Sequence, residues 1–596
     1  MRLGGLRAAA AKSRDGASVA ALALAALDSE AFSISALGLF VTPAEVALSL
    51  AIASAAAVVL CDRRLALGVG PSARTLGWAL GFGAVAALLA AATADANRDV
   101  ALRGGLRLLA GAAFTACCLQ GGAALLRRLS AVAVGLVVAT AGLGAFEQLA
   151  GDGWFGPAGA ELEAALLEPF RPKASITDDG ARRLTATFAH ANLAAAWLAV
   201  LAPLGLSSLA ATPSATVRPW RRLAAPAFVA IATLALALTL SRAGLVAGCA
   251  GMAVALFAMA PGQARRDLAS ALVLGLVLAA AAPSVRARVS DAGPALAATI
   301  EATPMSGSAG GAVAVRLRNT GWLTWRPAGA DRHRLIAVPL SCDGAVPAQP
   351  GGVGPVQALD VPHRVAPGAE VSILLAAAAA PAAAAFALDV EHHGHRSACH
   401  SGGPITLARR ADIACAVSAP PCGSSAWHDA STVERAGAPH GSTDRRELWA
   451  AALAAARHHP WFGLGPDVFR LRKAEFLPPR AIRRDDREHA NNLALEVVAD
   501  LGLCGAMAML AIVAALWSAV RQLLGRQDLE GAALVLGGAG GVVALGFHGL
   551  ADAPLFSWAA LLASGGALAA LACGADAAAA GDRASLHESA DVVVPP

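Results

Sequence analysis

Three stretches of this chain place cationic and hydrogen-bonding side chains beside long apolar runs. The first, RRLTATFAHANLAAAWLAVLAPL (182–204), sets two arginines, a threonine and a His-x-Asn pair where a loop leads into an apolar segment. The second, LTLSRAGLVAG (238–248), puts Arg242 between two such segments. An arginine there is costly and faces a partner or a polar cavity. The third joins RRELWAAALAAARHHPWFGLGPDVF (445–469), with a glycine-rich turn, to REHANNLALEVVADLGLCGAMAML (487–510). Guanidinium forks suit phosphate oxygens, and an imidazole near its natural pKa suits proton transfer.

The elements that must position these residues are membrane helices. The 596-residue chain is 56% hydrophobic and only 15% charged, with a mean hydropathy of +0.57. A soluble protein of this length carries far more charge. Spans are expected at about 17–38, 43–61, 73–93, 101–125, 129–150, 187–209, 223–240, 243–261, 267–284, 491–518, 531–549 and 553–574, since a crossing takes roughly 20 residues. Arg63 and Arg64, Arg127 and Arg128, Arg218 with Arg221 and Arg222, Arg265 and Arg266, and Arg521 with Arg526 occupy alternate loops. All fall on one side if the N-terminus is cytoplasmic. That alternation predicts about twelve spans with both termini inside, and it leaves 151–186 and 285–490 outside. Asp28 and Glu30 interrupt the first span. The arginines are scattered in short loops, which argues against nucleic-acid binding.

Residues about 298–408 change character. GAVAVRLRNTGWLTWRP alternates apolar and polar residues and turns at Asn319-Thr320-Gly321, which predicts a hairpin; Pro367-Gly368 marks a second turn. The pattern predicts a β-sandwich of roughly 100 residues inserted between spans nine and ten. Cys342, Cys399, Cys415 and Cys422 lie in this outer region, as disulfides or as isolated thiols. The His392, His393, His395, Cys399, His400 cluster fits no standard zinc spacing. Residues 445–457 read as a helix whose apolar stripe lies on the membrane surface. The domains expected are 1–150, N-terminal helices; 151–284, a membrane core with outer loop 151–186; 285–445, the β-bearing insert; 446–575, the amphipathic segment and C-terminal core; and 576–596, a disordered cytoplasmic tail.

The motifs R-x-x-x-T-F-x-H-x-N-x-x-A, S-R-x-G, W-x-x-A-x-x-x-x-x-x-H-P-x-x-G-x-G-P-x-x-F and H-A-x-N-x-x-L-E…L-G-x-x-G occur here in order. In that order and spacing the chain resembles the O-antigen ligase and O-antigen polymerase superfamily of bacterial envelope enzymes. The resemblance covers about 180–284 and 440–575, and FHGLADAPLFSWAALLASGGAL (547–568) is similar to the family's closing helices. It implies an inner-membrane glycosyltransferase that moves a glycan from an undecaprenyl-diphosphate carrier to a glycan, lipid or protein acceptor, inverting the anomeric carbon. It implies no nucleotide sugar, cofactor or obligatory metal.

On that resemblance Arg242, Arg446 and Arg183 stabilise the diphosphate, with Arg445 competing for the role of Arg446. His489 takes the acceptor's proton, Asn492 positions substrate, and Thr187, His190 and Asn192 line the same cavity. The ligase pattern has a histidine where this chain has Asn491, so His489 is displaced by two positions. Arg480, Arg483, Arg484 and Arg487 suit interfacial anchoring. His548 and Asp552 either pair near the cavity or cap a span. A transporter, the label some superfamily members carry for bicarbonate, would show internal repeats and broken helices at the midplane; the sequence shows neither. A scaffold in which only the β-unit acts is the third reading.

Overall fold

The computed structural model describes residues 2–27, 34–36, 39–62, 70–151, 162, 183–188, 190–210, 219–259, 263–282, 285, 297–304, 313–321, 325, 327, 333–340, 357–375, 385–392, 395–396, 406–409, 445–477, 489–524, 533–554 and 557–590. The four cysteines of the insert, His393, His400, the arginines at 480–487 and most of loop 151–186 lie outside these. The helices are α1 (Arg2–Leu24), α2 (Pro43–Asp62), α3 (Pro71–Thr93), α4 (Arg98–Gly151), α5 (Ala191–Ala210), α6 (Pro219–Leu238), α7 (Arg242–Met259) and α8 (Gln263–Ala281). After the β-unit come α9 (Arg445–His458), α10 (Phe469–Arg472), α11 (Leu493–Leu524), α12 (Ala533–Gly549) and α13 (Trp558–Ala590).

Among the described residues six helices are long and apolar enough to cross a membrane, within α2, α3, α4, α5, α11 and α13; α6, α7 and α12 hold shorter apolar stretches. Their outward faces are apolar at helical spacing: Trp78, Phe82, Val85 and Leu89 make an exposed stripe on α3, as a lipid-facing helix requires. The 54 residues of α4 would reach about 80 Å if straight, more than twice the apolar thickness of a bilayer. Non-helical geometry at Gly122 divides it, and both sides of the break reach one N-terminal cluster, Gln120 accepting from Arg14 and Arg128 pairing with Asp15. The interior is alanine-rich, and α5 and α13 are the most enclosed spans. Helix α12 packs on α5, α7 and α13, through small residues that let backbones approach.

Three expectations for the helical part change. The first span ends early: α1 stops at Leu24, a 3-10 turn follows to Leu27, and β1 (Ile34–Ala36) pairs with β2 (Leu39–Val41). The tail from 576 is helical to Ala590 rather than disordered, as its alanine content favours. The helices are not all continuous, because α11 breaks at Gly502; the apolar part beyond that break remains long enough to cross.

The β-unit has two antiparallel sheets. One orders β3 (Ala298–Pro304), β4 (Val313–Asn319) and β7 (Glu370–Leu375). The other orders β10 (Thr406–Arg409), β8 (Ala385–His392), β5 (His333–Leu340) and β6 (Gln357–Asp360), with β9 (His395–Arg396) on β8. Val315, Leu317, Ile373, Leu335, Phe386, Leu388 and Trp325 share one core between them. The expected hairpin at Asn319 does not form. Strand β4 pairs with β3 and β7 instead, because Asn319 donates from Nδ2 to the Val365 carbonyl and accepts the Gly321 N–H, tying the turn to the segment before β7. The turn at Pro367-Gly368 is present, with Gly368 at φ 82°.

Candidate active site

The break in α11 is completed by the glycine-rich turn. At Gly502 (φ 61°, ψ −153°) the backbone enters a region essentially closed to other residues, and the groups freed there need partners. Segment 460–465 supplies them. Leu503 and Cys504 donate to the Pro460 and Trp461 carbonyls, while Leu464 and Gly465 donate to those of Ala499 and Asp500. Gly463 (φ 66°) lies against the Asp500 backbone so closely that a Cβ would meet its oxygen at 2.5 Å. The Asp500 carboxylate then accepts the N–H groups of Asp467 (2.9 Å) and Phe469 (2.8 Å), fixing the start of α10. Helix α9 lies over this turn. Its Ala451, Ala452 and Ala455 share a core with Leu464, Phe469 and Ala499 and Leu448 is buried, so this part of the apolar stripe faces protein, while Trp449 and Leu453 stay exposed.

The loop 183–188 is held from below by a carboxylate that sequence reasoning did not single out. Glu147, at 1% exposure, accepts from Thr185 N (2.9 Å), Thr185 Oγ1 (2.8 Å) and Ala186 N (2.9 Å). Its signal was a lone acid inside the apolar run of α4. Arg183 donates to the Thr239 carbonyl (2.8 Å) and to Asn192 Oδ1 (2.7 Å). Ser241 caps α7 by accepting the Gly244 N–H (3.2 Å), which leaves Arg242 as the first residue of that helix. Of the five non-glycine residues with positive φ among the described residues, Ala186, Leu240, Asp467 and Asn491 lie on these loops, and such strain gathers at functional sites.

Two cavities result, and Asp552 belongs to the walls of both. The larger, about 560 Å³, is lined by Arg183, Asn192, Arg242, Arg445 and His548. The other, about 280 Å³, is lined by Thr187, His190, Asp467, Arg470, His489 and Arg107. The three motif blocks thus meet. Arg445 rather than Arg446 lines the arginine cavity; Arg446, the next residue along α9, is exposed. Thr187 donates to the Ala26 carbonyl (2.6 Å) from the wall of the histidine cavity. Asn492 lines neither. It caps α11 by accepting the Leu495 N–H (3.1 Å) and donates to the Leu550 carbonyl (3.2 Å). It borders instead an apolar cavity of about 390 Å³ among Leu80, Leu108, Leu493, Met509, Ile512 and Leu561. Asn491, where the family pattern has histidine, adopts φ 51°, a conformation asparagine tolerates. His548 and Asp552 approach to 3.6 Å.

His489 faces a charge that alters its role. Its Nδ1 lies 2.7 Å from Glu496 Oε1, whose partner oxygen accepts the Ala490 N–H at 2.6 Å. Burial pulls the imidazole pKa down, but the Glu496 carboxylate, with Asp467 and Asp500 behind it, raises it to about 9. His489 is therefore a cation at neutral pH, not the free base expected of it. Burial pushes Asp552 up, yet the His548 and His190 imidazoles and the Ala553 N–H hold it at about 2. Arg470 spans Asp467 in a fork, at 2.6 and 3.0 Å. This pair, spaced three apart, was legible as a charge pattern but not as part of the site.

A family model described as O-antigen ligase matches residues 369–510. The match supports the O-antigen ligase superfamily for this chain, and with it a membrane protein with a glycan-transfer function in general. No curated protein matches the sequence.

Proposed function

Taking membership of the O-antigen ligase superfamily as the premise, we propose that this protein transfers or polymerises glycan from an undecaprenyl-diphosphate carrier at the periplasmic face of the bacterial inner membrane. The supporting observation is the meeting of Arg183, Arg242 and Arg445, from three blocks far apart in sequence, around one cavity. A diphosphate leaving group needs cations where its charge develops, and guanidinium supplies them in a bidentate manner. Arg242 also stands in the first turn of α7, where the helix dipole favours an anion. The neighbouring histidine cavity offers Thr187, His190, His489 and the Asp467–Arg470 pair as hydrogen-bonding partners. The apolar cavity beside Asn492 suits the carrier's prenyl chain. The reaction forms a bond from an acceptor hydroxyl to the anomeric carbon as the carrier phosphate departs with the old bond's electrons, inverting the centre without a metal. Both termini lie in the cytoplasm, and the β-unit is outside with the site.

The test is turnover by purified protein in lipid nanodiscs, supplied with undecaprenyl-diphosphate-linked glycan and a panel of acceptors. Arg242→Ala is expected to lower turnover about 100-fold or more, the scale of losing one preorganised charge partner. Equal turnover in wild type and variant would sink the site assignment. Absence of turnover by wild type with every acceptor would sink the enzyme reading.

A further inference from the structure

The two cavities differ in charge, and the difference divides the reactants between them. The arginine cavity carries three guanidinium groups against the single carboxylate of Asp552. Arg242 and Arg445 make no ion pair among the described residues. In the histidine cavity the Arg470 and His489 cations are each matched by a carboxylate, Asp467 at 2.6 Å and Glu496 at 2.7 Å, and Arg107 lies over the Trp558 ring, 5.4 Å from its centroid. A dianionic diphosphate is drawn to unmatched cations, whereas a paired field suits the neutral hydroxyls of a sugar. The diphosphate therefore belongs with the arginines, and the acceptor with the histidines.

Asp552 occupies the wall these cavities share. It is 7% exposed, and its Oδ1 accepts the Ala553 N–H at 2.8 Å. Its Oδ2 has no hydrogen-bond partner among the described residues; His548 Nε2 lies 3.6 Å away, beyond hydrogen-bond range. A buried carboxylate oxygen left without a donor is costly; the neighbouring imidazoles that hold Asp552 at about 2 must be offset before it takes a proton. His489, beside the Glu496 carboxylate and with its pKa raised to about 9, already carries its proton at neutral pH.

Resting on the glycan-transfer reading, we propose that Asp552 is the catalytic base, taking the proton of an acceptor hydroxyl held in the histidine cavity while the carrier diphosphate leaves through the arginine cavity. The hydroxyl oxygen forms its bond to the anomeric carbon. The bond from that carbon to the phosphate oxygen breaks, and its electron pair stays on the diphosphate. The hydroxyl proton passes to Asp552 Oδ2 and from there to water or the departing phosphate. Donor binding readies the base: a dianion beside Asp552 offsets the neighbouring cations and favours the protonated carboxyl. His489, held as a donor, orients the acceptor's other oxygens.

The experiment compares wild type, Asp552→Asn and Asp552→Ala in nanodiscs, with undecaprenyl-diphosphate-linked glycan as donor. Turnover, donor affinity and rescue by formate are measured. Both variants are expected to bind donor within about threefold of wild type and to lose turnover by roughly 100-fold or more, the range of general-base catalysis. Formate is expected to restore part of the turnover of Asp552→Ala and none of that of Asp552→Asn, where the amide fills the space. Turnover in Asp552→Asn within about tenfold of wild type would overturn the assignment. So would donor-binding variants that formate does not rescue, or loss of donor binding in both, which makes Asp552 a structural group. An inactive wild type counts against the parent reading instead.

Discussion

Replacing Glu496 by glutamine removes the charge that keeps His489 protonated while keeping the shape of the side chain. In the native protein the imidazole pKa is raised to about 9 against burial, compared with about 6.5 in an unfolded chain. The gap of roughly 2.5 units corresponds to about 3 kcal/mol at 1.36 kcal/mol per unit. The folded pKa is the higher one, so this stabilisation is fully present below pH 6.5 and is lost as pH rises through 9. Wild type should therefore lose about 3 kcal/mol of stability between pH 6 and pH 10 from His489 and the carboxylates around it. Glu496→Gln should start lower and change much less across that window, because the largest raising partner is gone and only Asp467 and Asp500 then oppose burial at His489. Unfolding of the purified protein in detergent, followed against pH for both proteins, reads the difference. Reaction of His489 with an acylating reagent selective for neutral imidazole gives a second readout: slow in wild type at pH 7.5 and fast in the variant. Parallel stability profiles, or equal reactivity of His489, would refute the ion pair and return the histidine to the role of free base.

Glu147→Gln leaves one acceptor oxygen for the two N–H groups and the hydroxyl that the carboxylate now holds. The expected cost is about 2–4 kcal/mol, seen as a lower melting midpoint, with weaker donor binding because Arg183 and Thr187 ride on that loop. Gly502→Ala and Gly122→Ala both force a side chain into glycine-only backbone, costing about 1–3 kcal/mol each. Only at Gly502 would the Cβ also meet backbone, 2.6 Å from the Trp461 carbonyl carbon. Gly502→Ala should thus be the more destabilising by about 1–3 kcal/mol and should release the 460–465 turn to proteolysis. Equal melting points for the two variants would contradict the interlock described at the break.

Much of this protein was determined by local chemistry. Apolar runs of membrane length, the arginines alternating between loops, and the alternation of strands β4, β7 and β8 depend on neighbours in the chain, and they were legible there. Arg183, Arg242, Arg445, His190 and His489 stand out there as candidates, because cations and imidazoles beside apolar segments are conspicuous by type. What could not be read depends on contacts between distant segments. The N–H groups of Asp467 and Phe469 find the Asp500 carboxylate only once α11 breaks at Gly502 and the glycine-rich turn enters the gap. The charge of His489 is set by Glu496 across the first turn of α11, and the place of Asp552 by two cavities whose walls come from stretches far apart in the chain. Residue type and spacing state which groups are available. Tertiary structure decides their charge, because only folding brings the buried partners within hydrogen-bonding distance and removes the water that would otherwise screen them.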